Sequence, residues 1–205
     1  MSNRMVPSLS PNAKGRHGIF RMEKLNRITL LDDAKRPKAP KIEGLSPFQR
    51  ARGQRLRWFH DHHRAQLAEV ARALEALDGA ALSEQVSKLD MSANYRMFGN
   101  LCGQECQMLT GHHTIEDLHM FPLLHEEGSS GLKKVVERLM AEHLVVHDLI
   151  EELEQRAWAC LQNPSPETFA EAKKTFFDLN TCVRSHFGYE ETELEDALSV
   201  IDVGI

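Results

Sequence analysis

Histidine and acidic residues recur four positions apart at three places in this 205-residue chain. Residues 112–116 read HHTIE, residues 143–147 read HLVVH, and residues 186–190 read HFGYE. Residues four apart in an α-helix differ by about 40° around the axis and about 6 Å along it, so their side chains reach the same point. Imidazole and carboxylate groups placed in this way can bind a transition-metal ion. The spacing therefore predicts metal binding between helices.

The two halves of the chain align with each other when His60 is set against His143 and His112 against His186. The alignment also matches apolar positions with helical spacing: Leu67 with Ile150, Val70 with Leu153, Leu74 with Ala157, Leu109 with Val183, Met120 with Leu194 and Leu124 with Leu198. We therefore expect each helix to present an inward face that carries ligands: His60, His112, Glu116, His143, His147, His186 and Glu190. His63 shares the inward stripe of its helix and is the alternative to His60.

Five imidazoles and two carboxylates are enough donors for two metal ions, with at least one coordination site left open. Carboxylates can bridge two ions, and this donor set without cysteine suits a pair of iron ions, although manganese and zinc also fit. Burial without metal would raise the pKa of the carboxyls, so the metal is expected to stabilise the fold. Three neighbouring residues are candidates to orient the ligands: His119, Asp117 and Glu191. For the two carboxylates the alternative is a position on the surface. His113 is expected to face away.

Four long helices are predicted to position these residues. The first runs from the cap Ser46 and Pro47 to a stop at Asp78-Gly79. The second runs from about residue 92 to 125, with a short helical piece at 82–89 before it and Pro122 kinking or ending it early. The third covers about 132–161, and the fourth runs from Pro166, behind the cap Ser165, to about residue 200. Short connections predict an all-α, antiparallel up-down four-helix bundle over residues 46–205.

Charge divides the chain into a basic start and an acidic remainder. Residues 1–57 carry 14 Lys or Arg and 4 Asp or Glu, a net +10, against −15 for the rest. Residues 1–45, which contain four prolines, are predicted to be a partly disordered basic arm. We expect the arm to lie on the acidic body, or to contact an acidic protein partner, rather than nucleic acid, because it lacks a recognisable reading motif.

Other features bear on the compartment. No apolar run approaches the roughly 20 residues of a membrane helix, and the N-terminus lacks the apolar core of a secretory signal. A cytoplasmic protein without membrane contact is expected, with its four cysteines reduced.

Three glycines in the second predicted helix, Gly99, Gly103 and Gly111, indicate close helix contact because they cost helix propensity.

The ligand motifs resemble those of the hemerythrin-like family, also called HHE cation-binding proteins. The resemblance rests on HHTIEDLHMFP at 112–122, EHLVVHDLI at 142–150, HFGYEETEL at 186–194 and a preceding helix with a histidine, and it covers residues 56–200. It implies a non-haem di-iron centre that Glu116, Glu190 and an oxo or hydroxo group bridge. The terminal ligands would then be His112, His143, His147, His186 and a histidine of the first helix.

The last motif is HxxxE, whereas oxygen-carrying hemerythrins have a longer spacing to an aspartate, so the chain resembles the sensor branches more closely. The resemblance implies binding or reaction of O2, NO or peroxide, in sensing, detoxification or iron and oxygen homeostasis. A metal-switched regulatory protein and a di-iron oxidase of an organic substrate are the alternatives, and no catalytic residue is predicted. A ferritin-like site would need Glu-x-x-His on two helices, and only Glu116 and His119 form that motif.

Overall fold

The computed structural model describes residues 25–81 and 88–204, and these residues contain helices but no strand. The helices are α1 Arg27–Leu30, α2 Pro47–Gly53, α3 Arg55–Ala81, α4 Lys88–Ile115, α5 Phe121–Glu127, α6 Ser130–Gln162 and α7 Pro166–Val200. A 3-10 turn covers Asp33–Lys35 and a π-helical turn covers Glu116–Met120. The predicted all-helical class is therefore confirmed. None of the described helices is both long enough and apolar enough to span a bilayer.

Serine residues cap three of the helices. Ser46 and Ser165 each form a reciprocal capping box with the residue three positions on, and a proline begins the helix behind each. Ser129 accepts a hydrogen bond from the Leu132 amide and starts α6. The predicted starts at residues 46 and 165 are confirmed, and the last two predicted helices agree with α6 and α7 to within two residues.

The first predicted helix is in fact two helices. A turn at Gln54 separates α2 from α3, and α3 continues through the predicted stop as far as Ala81. Close packing accompanies the break, because a Cβ atom on Gly53 would lie 2.2 Å from the Glu195 carbonyl oxygen of α7. The helix thus extends two residues beyond the predicted stop at Asp78-Gly79, since a single glycine costs a helix only about 1 kcal/mol. Most of the predicted piece at 82–89 lies outside the described residues.

Pro122 interrupts the second predicted helix as expected. Its ring nitrogen has no hydrogen to donate, and the preceding turn widens into the π-helical turn, in which the Phe121 amide donates to the Glu116 carbonyl. The chain then resumes as α5. The interruption falls on the segment that contains Glu116 and Asp117, two of the predicted site residues.

The four long helices pack in a closed set of neighbours. Helix α3 contacts α4 and α7, and α6 contacts the same two helices. Two apolar clusters fill the interior: one contains Leu67, Leu109 and Val183, and the other contains Met120 and Leu194. Leu109 and Met120 belong to different clusters, and the chain between them contributes two buried polar residues, His113 and Glu116.

Residues 25–45, here called the N-terminal segment, lie against α6 and α7. Leu30 is fully buried in the first apolar cluster, and Arg27 pairs with Glu152 of α6 and with Asp178 of α7, the latter at 2.9 Å. The boundary predicted at residue 46 stays a prediction. Within the described residues, the second half of the predicted arm contacts the acidic body.

Candidate metal centre

Two groups of ligand atoms face each other in the interior. One consists of His60 of α3, His112 of α4 and Glu116 of the π-helical turn, and the other of His113, His143 and His186 from α4, α6 and α7. Within each group the candidate ligand atoms lie within 4.8 Å of one another. Every long helix therefore contributes an imidazole to a confined region, as the internal repeat predicts.

The two predicted glutamates, Glu116 of the first group and Glu190, both approach imidazoles of the two groups. Glu116 places Oε1 at 3.1 Å from Nε2 of His112 and Oε2 at 3.5 Å from Nε2 of His143. Glu190 places Oε2 at 3.5 Å from Nε2 of His60 and at the same distance from Nε2 of His186. Each carboxylate thus approaches one imidazole of each group, which is the arrangement that a bridging ligand needs.

All four carboxylate oxygens of Glu116 and Glu190 are buried, and none accepts a hydrogen bond from the described residues. Burial and neighbouring carboxylates raise the pKa of both groups well above its ordinary value. A buried carboxylate without a donor is costly, and a bound cation would remove that cost. The donor set therefore fits a divalent or trivalent metal.

Carboxylates outside the cluster orient three of the imidazoles. The Nδ1 atoms of His60, His143 and His186 lie 3.0, 2.9 and 3.2 Å from the carboxylates of Glu191, Asp117 and Glu142 respectively. Ionised carboxylates only accept hydrogen bonds, so Nδ1 carries the hydrogen and Nε2 carries the lone pair. The Nε2 atoms of His143 and His186 are 3.1 Å apart, and a metal ion between them would turn facing lone pairs into ligand bonds.

Burial also keeps four of the imidazoles neutral. It lowers the pKa of His60 to about 4 and that of His112 to about 2, and the pKa values of His113 and His143 fall well below their ordinary value for the same reason. Only the neutral imidazole has a lone pair for a metal. The interior thus holds these side chains in the state that ligation requires at neutral pH.

His60 and His63 differ in what they approach. His60 lies within 3.9 Å of carboxylate oxygens of both Glu116 and Glu190 through Nε2. His63 is also buried, but its Nδ1 lies 2.8 Å from Glu105 of α4. The geometry favours His60 as the ligand from α3, with His63 in a contact with Glu105 that the sequence analysis did not anticipate.

The expectation for His113 was wrong. His113 is fully buried, its ring stacks on His143 with centroids 3.9 Å apart, and its Nε2 has no hydrogen-bond partner among the described residues. Helix α4 packs against both α3 and α6, so its inward face spans the 100° between His112 and His113.

His147, a predicted ligand, is half-buried and places Nε2 at 3.3 Å from Nδ1 of His113.

Several other residues around the centre were missed. Glu142 is fully buried and contacts His186, and the side chains of Arg36 and Arg138 both donate to it. No periodic signal in the sequence marked Glu142, because its partners Arg36 and His186 lie on the N-terminal segment and on α7, far away in the chain. His119, predicted to lie near the ligands, has an exposed side chain on the π-helical turn.

Comparison with known proteins agrees with this site. A search of curated proteins and a search of solved structures each found no match. A family model described as the hemerythrin HHE cation-binding domain matches residues 53–198, which is most of the chain and includes every predicted ligand. This protein therefore belongs to the hemerythrin HHE cation-binding domain family.

Proposed function

We propose that this protein is a cytoplasmic non-haem di-iron protein that binds or reacts with O2, NO or peroxide. Its role would lie in sensing, detoxification or iron and oxygen homeostasis. The proposal includes an up-down antiparallel bundle of α3, α4, α6 and α7, which the short connections predict, and a basic N-terminal extension. Cation binding by the family supports the proposal. The pairing of two carboxylates with imidazoles from four helices suggests two ions rather than one.

One observation carries the proposal: the four oxygens of Glu116 and Glu190 are buried between two groups of imidazoles without a hydrogen-bond donor. Two bridging carboxylates and terminal imidazoles form a donor set that iron accepts. His60, His112, His143 and His186 are the proposed terminal ligands, and His147 or His113 supplies the remaining nitrogen. When bound, a pair of iron ions supplies an electron-transfer centre with an open position for a small ligand.

The residues around the ions would then have separate tasks. Glu191, Asp117 and Glu142 hold the imidazole rings by their Nδ1 hydrogens and raise the basicity of Nε2. The two apolar clusters beside the ligands would limit the access of water to the metal. They would favour entry of a small ligand over a large one.

Metal analysis tests the proposal directly. We expect about two iron ions per chain after reconstitution with Fe2+ and removal of unbound metal, together with an optical absorption that develops in air. The double variant His112→Ala with Glu116→Ala removes a terminal and a bridging donor, so we expect fewer than one iron per chain and loss of the absorption.

A matched double variant provides the control. His125 and Glu137 form a histidine–glutamate pair, 3.4 Å apart, outside the candidate ligands. Replacing both by alanine removes the same residue types and should leave two iron ions bound. Wild-type protein that binds less than one metal per chain, or equal metal content in the two double variants, would exclude a di-iron site at these residues.

The alternative functions call for different observations. A metal-switched regulatory protein is favoured by the contact between the N-terminal segment and Glu142, because that contact links the segment to a proposed ligand. An oxidase of an organic substrate would need a cavity that opens onto the ligands. A cavity of about 360 Å³ lies between α4 and α6, but it is lined by none of the proposed ligands. Turnover assays with peroxide and with NO would separate catalysis from sensing.

A further inference from the structure

Arg36 of the N-terminal segment enters the interior of the protein. Its side chain is only 2% exposed, and it meets the carboxylate of Glu142 with two parallel hydrogen bonds. Nε donates to Oε1 and Nη2 donates to Oε2, each at 2.9 Å. Nη1 donates to Asp33 at 2.7 Å and to the Ser185 hydroxyl at 3.0 Å. This planar, two-pronged contact is the geometry that arginine forms best with a carboxylate.

Glu142 connects Arg36 to a proposed ligand. Nδ1 of His186 lies 3.2 Å from Oε2 of Glu142, and Arg138 donates to Oε1 at 2.8 Å. Arg36 and Arg138 thus place two guanidinium groups on the buried carboxylate of Glu142, which in its ionised form only accepts hydrogen bonds. An ionised Glu142 fixes the hydrogen of His186 on Nδ1, so Nε2 faces Nε2 of His143 with its lone pair.

We propose that Arg36 is a positioning residue of the metal centre, through which docking of the N-terminal segment holds Glu142 and thereby His186 in the orientation that binds metal. The proposal rests on the di-iron site proposed above. Arg36 is the one described side chain of the segment that contacts Glu142 directly. Without it, Oε2 of Glu142 loses its guanidinium partner, and the contact to His186 becomes free to rearrange.

The segment has other anchors that do not reach a proposed ligand. Leu30 lies in the first apolar cluster, and the Ala39 and Ile42 amides donate to Glu193 and Asp196 of α7 at 2.8 and 3.0 Å. The ion pairs of Arg27 with α6 and α7 likewise anchor the segment without reaching a proposed ligand. Replacing Arg36 should therefore loosen the metal ligand without detaching the whole segment.

Coupling of this kind acts in both directions. If the docked segment favours bound metal, then bound metal favours the docked segment by the same free energy. Iron-loaded protein should accordingly protect the segment from trypsin better than metal-free protein does. Lys38 and Lys41 are exposed cleavage sites within the segment that report on its docking.

Iron release to a coloured chelator measures the effect without any activity assay. We expect Arg36→Gln to release iron about 10 to 100 times faster than wild type, the range typical for loss of a partner behind a metal ligand. Arg27→Gln is the matched control, since it removes an arginine of the same segment that pairs with the same two helices. Its release rate should stay within about twofold of wild type.

The outcomes separate this inference from the proposed function. Wild-type protein that binds no iron overturns both. Wild-type protein that binds two ions, with equal release from Arg36→Gln and Arg27→Gln, overturns the positioning role alone. If Arg36→Gln does not fold, Arg36→Lys decides, because lysine keeps the charge but not the two-pronged contact. Release of iron from Arg36→Lys at the wild-type rate, or equal trypsin cleavage of the segment with and without iron, counts against the proposal.

Discussion

The two nitrogens of each central imidazole have different partners. In His60, His143 and His186, Nδ1 faces an acidic side chain, and Nε2 faces the interior. This division decides which nitrogen can ligate, because the hydrogen stays on the side of the carboxylate. His113 follows the same rule with a neutral partner: its Nδ1 lies against Nε2 of His147, and its own Nε2 is buried without a partner.

We expect His113→Ala to bind less iron than His147→Ala. His113 presents a buried, unpaired nitrogen beside His143 and His186, whereas the Nε2 of His147 is already occupied by its contact with His113. Iron per chain after reconstitution provides the measurement. His113→Ala should fall clearly below two ions, and His147→Ala should keep close to two with somewhat faster release.

Exposed His62 is the control for these single substitutions, and His62→Ala should keep the full metal content. If His147→Ala loses more iron than His113→Ala, His147 is the ligand, as the spacing in the sequence predicts.

At the scale of elements, one irregular place carries site residues and another packs two helices closely. The π-helical turn before Pro122 carries Glu116 to His112 and His143 and carries Asp117 to the other nitrogen of His143. The break after Gly53 brings the backbone of α2 against α7, near the acidic residues that follow Glu190. Interruptions of helices at functional sites are common, because they allow side chains to leave regular spacing.

Close approach of α2 to α7 predicts a large effect for Gly53→Ala. The added Cβ would lie 2.2 Å from the Glu195 carbonyl oxygen and 2.4 Å from the Ser199 hydroxyl oxygen, so the helices must separate. We expect a loss of about 1 to 3 kcal/mol in the free energy of unfolding, measured with urea on iron-loaded protein.

Gly103→Ala provides the opposite control within α4. No atom of the described residues lies within 4 Å of its Cβ position, so the alanine should stabilise the helix by up to about 1 kcal/mol. Equal stability of the two variants would contradict the packing of α2 on α7. At Gly103 and Gly111 alike, no described atom lies within 4 Å of the Cβ position, so the close helix contact predicted from these glycines is absent within the described part of the chain.

At the scale of the whole molecule, the interior holds more ionisable groups than a metal-free protein can accommodate without cost. The N-terminal segment and the long helices enclose Glu116, Glu190 and the imidazoles between two apolar clusters. Burial places these groups in their neutral forms when no cation is present. The stability of the metal-free protein should therefore depend on pH in a way that bound metal alters.

We expect metal-free protein to be most stable near pH 6.5. Burial lowers the pKa of five histidines: His60, His112, His113, His143 and His147. Below about pH 6.5 the unfolded chain therefore binds more protons than the folded protein, and stability decreases as the pH is lowered. The pKa values of Glu116 and Glu190 are raised, so above about 4.5 the folded protein keeps protons that the unfolded chain has lost. The histidines outnumber the glutamates below pH 6.5. Between about pH 6.5 and 8 the glutamates lower stability without them, below the range in which the buried thiols of Cys160 and Cys182, whose pKa values burial also raises, begin to contribute.

Urea midpoints between pH 5 and 8.5 measure this profile with and without iron. Bound iron replaces the protons on Glu116 and Glu190, so the decline on the alkaline side should disappear in the loaded protein. A midpoint of metal-free protein that keeps rising from pH 6.5 to 8 would contradict the protonation of the two carboxyls.

Local patterns in the sequence predicted the helices and the pairs within them. Capping serines with proline behind them marked the starts of α2 and α7, and apolar residues at helical spacing marked inward faces that the buried residues confirm. The HxxxE pairs could be predicted because residues four apart on one helix share a direction whatever the rest of the fold does. The family followed from the same motifs.

Contacts between distant parts of the chain could not be predicted in this way. Arg36 meets Glu142 across 106 positions, and His63 meets Glu105 across 42, so neither pair leaves a periodic signal. The inward position of His113 depended on how α4 is rotated between α3 and α6. Spacing along a helix thus determined which residue types could ligate together, because helical geometry is local. Only the tertiary structure decided which carboxylate orients each imidazole, because that choice depends on which helices touch.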